Sequence, residues 1–272
     1  MSHDVETGTG TSEKLLPKGE NKQNTQELGE LNDQELFLQS VGEFSGMFLF
    51  VTIIGYGGSF SLLLGLYVVL VTFAPISGAH FNPTITLGHY ITFDRDSHSF
   101  LKLIYYWIVQ FIGAFCAILL KFFINGGIIA PVISEGTTFI DACFQEFFWG
   151  GWLVFINLYV CSSKTSPSKH FLVCVAIFAS CLYFNIMATK NSTGASLNPA
   201  IAIMGNLWGL LVNGEYRYWR SMWINSVSPL VGCICFALFF KYIFEPGYIK
   251  LRGINHAKTE LCNEDNIKKE LR

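Results

Sequence analysis

Charge is what this 272-residue chain has least of: Lys, Arg, Asp and Glu make up 14% of it, against 51% hydrophobic residues. Too few charges remain to cover a water-soluble globule, and with a mean hydropathy of +0.40 the composition points to an integral membrane protein with the lipid bilayer as its solvent. The net charge of -2 is near neutral, and the basic residues gather in no patch that would track phosphates, which excludes a nucleic-acid partner. Metal-type patterns are missing too. Of the 8 cysteines, Cys116, Cys143, Cys174, Cys181, Cys233 and Cys235 lie inside apolar runs, Cys161 ends one and Cys262 sits in the tail, so they read as small packing residues. No CxxC or Cys/His spacing occurs, and no metal or cofactor is predicted. The N-terminus has no basic head followed by an apolar core, so no cleaved leader is expected.

Apolar runs are plentiful. They fall at 41–59, 60–77, 101–125, 139–161, 170–189 and 219–244, each near the roughly 20 residues that a helix needs to cross a bilayer. Residues 1–36, rich in Glu, Lys, Gly, Thr, Asn and Gln, are predicted to be a disordered tail with at most a short amphipathic turn near Leu28 to Leu38. The membrane domain is predicted over 37–245, with a second tail at 246–272. The first two runs are separated only by Gly55-Tyr56-Gly57-Gly58-Ser59, a tight turn that glycine permits.

Proline is sparse, with 8 copies, and two of them stand in one motif written twice. Gly78-Ala79-His80-Phe81-Asn82-Pro83 and Gly194-Ala195-Ser196-Leu197-Asn198-Pro199 share Gly-Ala, a polar residue, an apolar residue and Asn-Pro. Asn caps a helix by accepting a free backbone N–H, and Pro suits the first helical position, so each copy opens a helix. The apolar stretches after Pro83 and Pro199 are too short to span a membrane. Two half-helices at membrane depth are predicted. Glu43-Phe44 in the first run and Glu146-Phe147 in the fourth repeat as well. Three spans per half, an odd number, make the second half an inverted copy, and in such proteins the site lies where broken helices from the halves meet.

Irregular backbone is tolerated at that depth only where protein buries it or water wets it, so the two loops imply an aqueous path. A helix N-terminus carries an effective charge of about +0.5, and two facing one point repel cations and protons. With the Asn82 and Asn198 oxygens engaged as caps, their amide NH₂ groups are left as donors to a passing water. Glu43 and Glu146 are predicted to brace the re-entrant loops, with proton carriage as the alternative. Gln110, inside the third run, has the same two readings. Lys and Arg counts near the span ends favour both tails on the cytoplasmic side: Arg95, Lys102, Lys164, Lys169, Lys241, Lys250 and Arg252 fall there and the 126–138 loop has no basic residue, although the last external loop carries Lys190, Arg217 and Arg220.

The duplicated Asn-Pro boxes, with Ser77-Gly78-Ala79-His80 before the first and the Glu43, Gln110 and Glu146 positions, resemble the aquaporin or major intrinsic protein family over residues 40–244. The resemblance implies an all-α membrane protein of six spanning helices and two half-helices, one pore per chain and a homotetramer. The pore constriction would be Asn82, Pro83, Asn198 and Pro199. Family members usually carry Arg three residues after the second Asn. Here that position is Ile201. With Ala195, Ile186 and Leu64 (or Leu62, depending on a short gap) it would form an aliphatic, uncharged filter. Ala195 also implies that mercurials have no target at that position. His80 would line the cytoplasmic mouth, either titrating near neutral pH or held neutral by hydrogen bonds. The short loop 161–170, dense in hydroxyls (Ser162, Ser163, Thr165, Ser166, Ser168), is either a solvated turn or a gate over that mouth that phosphorylation would switch.

These residues predict a passive, proton-excluding water channel that also admits small uncharged solutes. The alternatives are a glycerol- or urea-type solute channel and a closed, non-conducting structural protein. A hydrolase is disfavoured because Ser196 has no base beside it. No acid is left over to drive a coupled transporter. Asn191-Ser192-Thr193 matches a glycosylation sequon but lies against the second box, where it is expected to be enclosed.

Overall fold

The computed structural model describes residues 20–93 and 97–253; the readings on residues 1–19, Arg95 and the chain from 254 onward lie outside the described residues. The described elements are helices: α1 (Glu20–Tyr56), α2 (Ser59–Ser77), α3 (Pro83–Thr92), α4 (Ser97–Asn125), α5 (Phe139–Cys161), α6 (Phe171–Thr189), α7 (Pro199–Asn213) and α8 (Tyr216–Phe239), the last running on through a π-helical turn, Phe240–Phe244. Six are long and apolar enough to cross a membrane, within Asp33–Tyr56, Phe60–Ser77, Ser99–Asn125, Phe139–Cys161, Phe171–Thr189 and Tyr216–Gly253. The two that follow Asn-Pro, α3 with 10 residues and α7 with 15, are not.

Two tail readings change. Residues 20–36, expected to be unstructured, are the first part of α1. Their Glu, Gln, Lys and Leu are good helix formers, so a composition too polar for a core does not exclude a helix. At the other end, the helix continues past residue 246 to Gly253. The chain divides into two compact units, 1–37 and 38–272, and the site described below lies wholly within the second.

Within that unit the elements pair as a repeated design: α4 packs on α7 and α8 on α3, each half-helix against the last span of the other half. α5 and α8 pack closely. A Cβ on Gly150 would come within 2.6 Å of the Pro229 Cβ, and one on Gly232 would collide with the Phe147 carbonyl, so the helix backbones meet where side chains are missing. Outer faces carry side chains such as Phe60 (72% exposed), Phe123 (76%) and Ile140 (77%), a pattern that suits a hydrocarbon solvent or another subunit's apolar face. α2 follows the same rule, with Leu62, Leu66, Val69 and Leu70 buried and Leu64 and Val68 outside. Leu64 is 50% exposed, so it is not the filter residue. The helical period turns it away from the core and puts Leu62, 5% exposed, inward instead.

Candidate pore and its two mouths

Each box builds its loop with the same backbone. Gly78, Ala79 and Phe81 have φ of 88°, 50° and 47°; Gly194, Ala195 and Leu197 have 83°, 55° and 50°. Left-handed backbone costs a non-glycine residue about 1–2 kcal/mol, so four such residues need outside support. Buried carboxylates supply it. Glu43 Oε1 accepts from the His80 N–H and the Ser77 hydroxyl, and Oε2 from the Phe81 N–H and the Gln110 amide, all at 2.8 Å. Glu146 accepts from the Leu197 N–H at 2.8 Å and the Thr193 hydroxyl at 2.5 Å. Consecutive N–H groups in such a loop make an anion-binding concavity, and here a side chain from a neighbouring helix fills it. Gln110 also reaches the Thr86 hydroxyl at 3.0 Å.

The loops end in the caps that the sequence predicts. Asn82 Oδ1 accepts from the Thr84 N–H at 2.9 Å and Asn198 Oδ1 from the Ala200 N–H at 3.0 Å. Their NH₂ groups cross between the halves: Asn82 Nδ2 donates to the Leu197 carbonyl and Asn198 Nδ2 to the Phe81 carbonyl, both at 2.8 Å. One hydrogen of each amide is thereby engaged, and one remains. Reciprocal bonds pin the two half-helix starts together.

Of the expected filter residues, Leu62 and Ile201 belong to the main apolar core cluster and Ile186 packs against it, while Ala195 sits half-buried in the strained loop. On the other side of the boxes, a cavity of about 660 Å³ runs from Gly78 and Ala79 of the first loop to Ser163, Ser166 and Ser168 of the 161–170 loop. Its walls include Leu70, Val160, Val175 and Phe178. His80 is not among its lining residues. The ring turns into a separate space of about 50 Å³, with Nδ1 3.2 Å from the Thr86 hydroxyl and its centroid 4.3 Å from that of His89.

The five loop hydroxyls divide. Ser162 donates to Glu245 Oε1 at 2.7 Å, and the fully buried Thr165 donates to the Tyr159 carbonyl at 2.9 Å, so these two hold the loop's shape. Ser163, Ser166 and Ser168 face the cavity. Several polar residues escaped the sequence reading. Asn206 and Asn225 both donate to the Pro131 carbonyl at 3.0 Å, and Asn225 also to the Thr193 carbonyl at 2.9 Å, fastening the 126–138 loop over the second box. The signal available was an asparagine inside an apolar helix, where an uncompensated amide is costly. His89, 2.7 Å from the Asn157 Oδ1, and Arg252, at the cavity's edge, were missed likewise.

Six spanning helices, two abutting half-helices capped by paired asparagines and a cavity leading to them define a multi-pass membrane channel. The family model of the major intrinsic protein matches residues 51–240, and the chain belongs to that family, the aquaporins. It is 30% identical over 240 residues to aquaporin TIP1-2 of Zea mays, covering 79% of this chain and 89% of the relative. It is also 26% identical over 263 residues to a PIP-type aquaporin of Atriplex canescens, covering 84% and 87%. The X-ray structure of the aquaglyceroporin from Plasmodium falciparum shares the fold, with a TM-score of 0.67 at 20% identity over 80% of this chain and 98% of that one. Members of this family are channels for water or small solutes and not enzymes.

Proposed function

We propose that the chain is a passive water channel that excludes protons where the two boxes meet and also passes small uncharged solutes. The observation that carries this is the reciprocal pair of amide bonds, Asn82 to Leu197 and Asn198 to Phe81, which aims two positive helix ends at one point. A water there offers its oxygen to the free amide hydrogens and turns its own hydrogens outward, so no proton is relayed across it. The solute reading rests on Ile201: with Leu62, Ile186 and Ala195 it gives a ring without a guanidinium, which neither holds water by hydrogen bonds nor rejects an apolar surface. The names of the plant relatives, aquaporins at 26–30% identity, favour water as the main cargo.

Lys164, Lys169, Lys241, Lys250 and Arg252, weighed against Lys190, Arg217 and Arg220 on the other side, favour a cytoplasmic position for the 161–170 loop, the α8 extension and both tails by the positive-inside rule. The loop then covers the cytoplasmic mouth, and the protein assembles as a homotetramer with one pore per chain. Stopped-flow light scattering on proteoliposomes tests the main reading: osmotic shrinkage well above the rate of protein-free lipid is expected. Fast swelling in isotonic glycerol or urea with slow water flux favours the solute channel. No flux in any variant, including one lacking Ser162 to Lys169, leaves the closed structural protein.

A further inference from the structure

We propose that Asn157, positioned by His89, is a solute-recognition residue in the wall of the 660 Å³ cavity, and that it favours solutes carrying a carbonyl oxygen: urea and small amides. This rests on the channel reading above and names the solute class. The wall beside Asn157, with Leu70, Val160, Val175 and Phe178, offers a passing molecule no side-chain hydrogen bond. Asn157 interrupts it. The residue is 4% exposed and lines the cavity, and its two amide atoms are used differently. Oδ1 lies 2.7 Å from His89 Nε2, with the Cys161 sulfur 3.9 Å away as a weak second donor. An amide oxygen only accepts, so Nε2 carries the hydrogen of that bond. Nδ2 makes no hydrogen bond with the described residues and is reachable from the cavity, so its hydrogens open onto the lumen.

Other buried asparagines are held the opposite way. Asn185, Asn206 and Asn225 spend Nδ2 on backbone carbonyls, as an amide that only fastens segments together would. The last torsion of an asparagine has a broad, roughly two-fold profile, so a neighbour decides which atom faces the cavity. Here that neighbour is His89, on the half-helix that Asn82 caps. Gly78 and Ala79 line the same cavity from the first loop, and their carbonyls accept no hydrogen bond from the described residues. The wall therefore presents N–H donors from one element and free carbonyls from another. A planar amide with its oxygen at one end and N–H groups at the other satisfies both at once. A hydroxyl rotates to suit either partner and gains less from the fixed pair.

The test measures urea, glycerol and water permeability by stopped flow on one preparation of the full chain in liposomes. Native protein should pass urea faster than glycerol. Asn157→Leu and Asn157→Asp, the second of the same shape but without amide hydrogens, should each lower the urea-to-water ratio about five-fold, the effect of one lost hydrogen bond. His89→Leu should do the same, because the amide is released. His89→Gln, whose own N–H can replace the imidazole's, should keep the native ratio. A role in packing alone would scale all three permeabilities together and leave the ratio where it was. An unchanged ratio in both Asn157 variants overturns the proposal, as does native protein that passes glycerol as fast as urea, and His89→Gln falling with His89→Leu removes the positioning role. Native protein that conducts water while the ratio stays fixed sinks this proposal only, whereas native protein that conducts nothing sinks the channel reading and this one with it.

Discussion

Ile201 occupies the first turn of α7, where most of the family carries a guanidinium, and it is 5% exposed. In the proposed filter, a branched aliphatic side chain there leaves out up to five hydrogen-bond donors and one charge that an arginine would supply. Ile201→Arg is therefore expected to cut isotonic swelling in glycerol several-fold while water flux holds, measured side by side in the same liposomes. Equal loss of both would mean that the new side chain plugs the path, and no loss would remove the residue from the filter. The two buried glutamates make a contrasting prediction about stability. Glu43 accepts four hydrogen bonds from the first loop and its neighbours, and removing it leaves those donors buried without an acceptor at about 1–3 kcal/mol each. Glu43→Ala should cost several kcal/mol, seen as a large drop in thermal unfolding temperature in detergent. Glu43→Gln, which keeps one acceptor oxygen, should fall between Ala and the native chain. If both variants melt like the native chain, the strained loop is held by something other than this carboxylate.

The half-helices and six spans were legible because hydropathy, the Asn-Pro caps and helical length are local signals that tertiary packing does not override. Pairing Glu43 with the first box and Glu146 with the second was legible too, since a repeated sequence puts equivalent residues in equivalent places. The face of α2 was not. One residue of register turns a side chain by about 100°, so a short gap moved the filter position from Leu62, which is buried, to Leu64, which faces outward. The loop lines the mouth cavity through Gly78 and Ala79, while the His80 imidazole turns toward Thr86 and His89, a direction that the motif alone does not give. Contacts between distant segments, such as Ser162 with Glu245 or Arg252 beside the 161–170 loop, leave no periodic trace in a sequence. These contacts change one expectation. Ala195 offers mercurials nothing, but Cys161 and Cys174 both line the mouth cavity. Mercury compounds should therefore slow water flux from the loop side, and Cys161→Ser with Cys174→Ser should abolish that inhibition while Ala195→Ser leaves it intact.

At the scale of the whole molecule, the internal symmetry brings both ends of the chemistry to one place. Each half contributes one helix start, one capping asparagine and one carboxylate brace, and the two Asn amides bond across to the opposite loop. Two helix ends of about +0.5 each act on a cation at about 4 Å, with an effective dielectric constant near 20, at a cost of about 2 kcal/mol apiece. Together that is about 4 kcal/mol, or roughly a thousand-fold in rate. In the channel proposed above, Ile201 stands where the arginine is usually found, so the paired helix ends are expected to carry proton and cation exclusion without a charged residue from the filter. Asn198→Asp isolates it. The aspartate oxygen still accepts from the Ala200 N–H and keeps the cap, but it has no hydrogen for the Phe81 carbonyl, and its negative charge offsets both helix ends. With a pH-sensitive dye trapped in proteoliposomes, native protein should hold an imposed pH gradient as long as protein-free lipid does. The aspartate variant should dissipate it at least ten times faster, by partial cancellation of a thousand-fold barrier. Native protein that leaks protons as quickly as the variant would place the barrier elsewhere, and a variant as tight as the native chain would show that the paired helix ends are not what turns protons back.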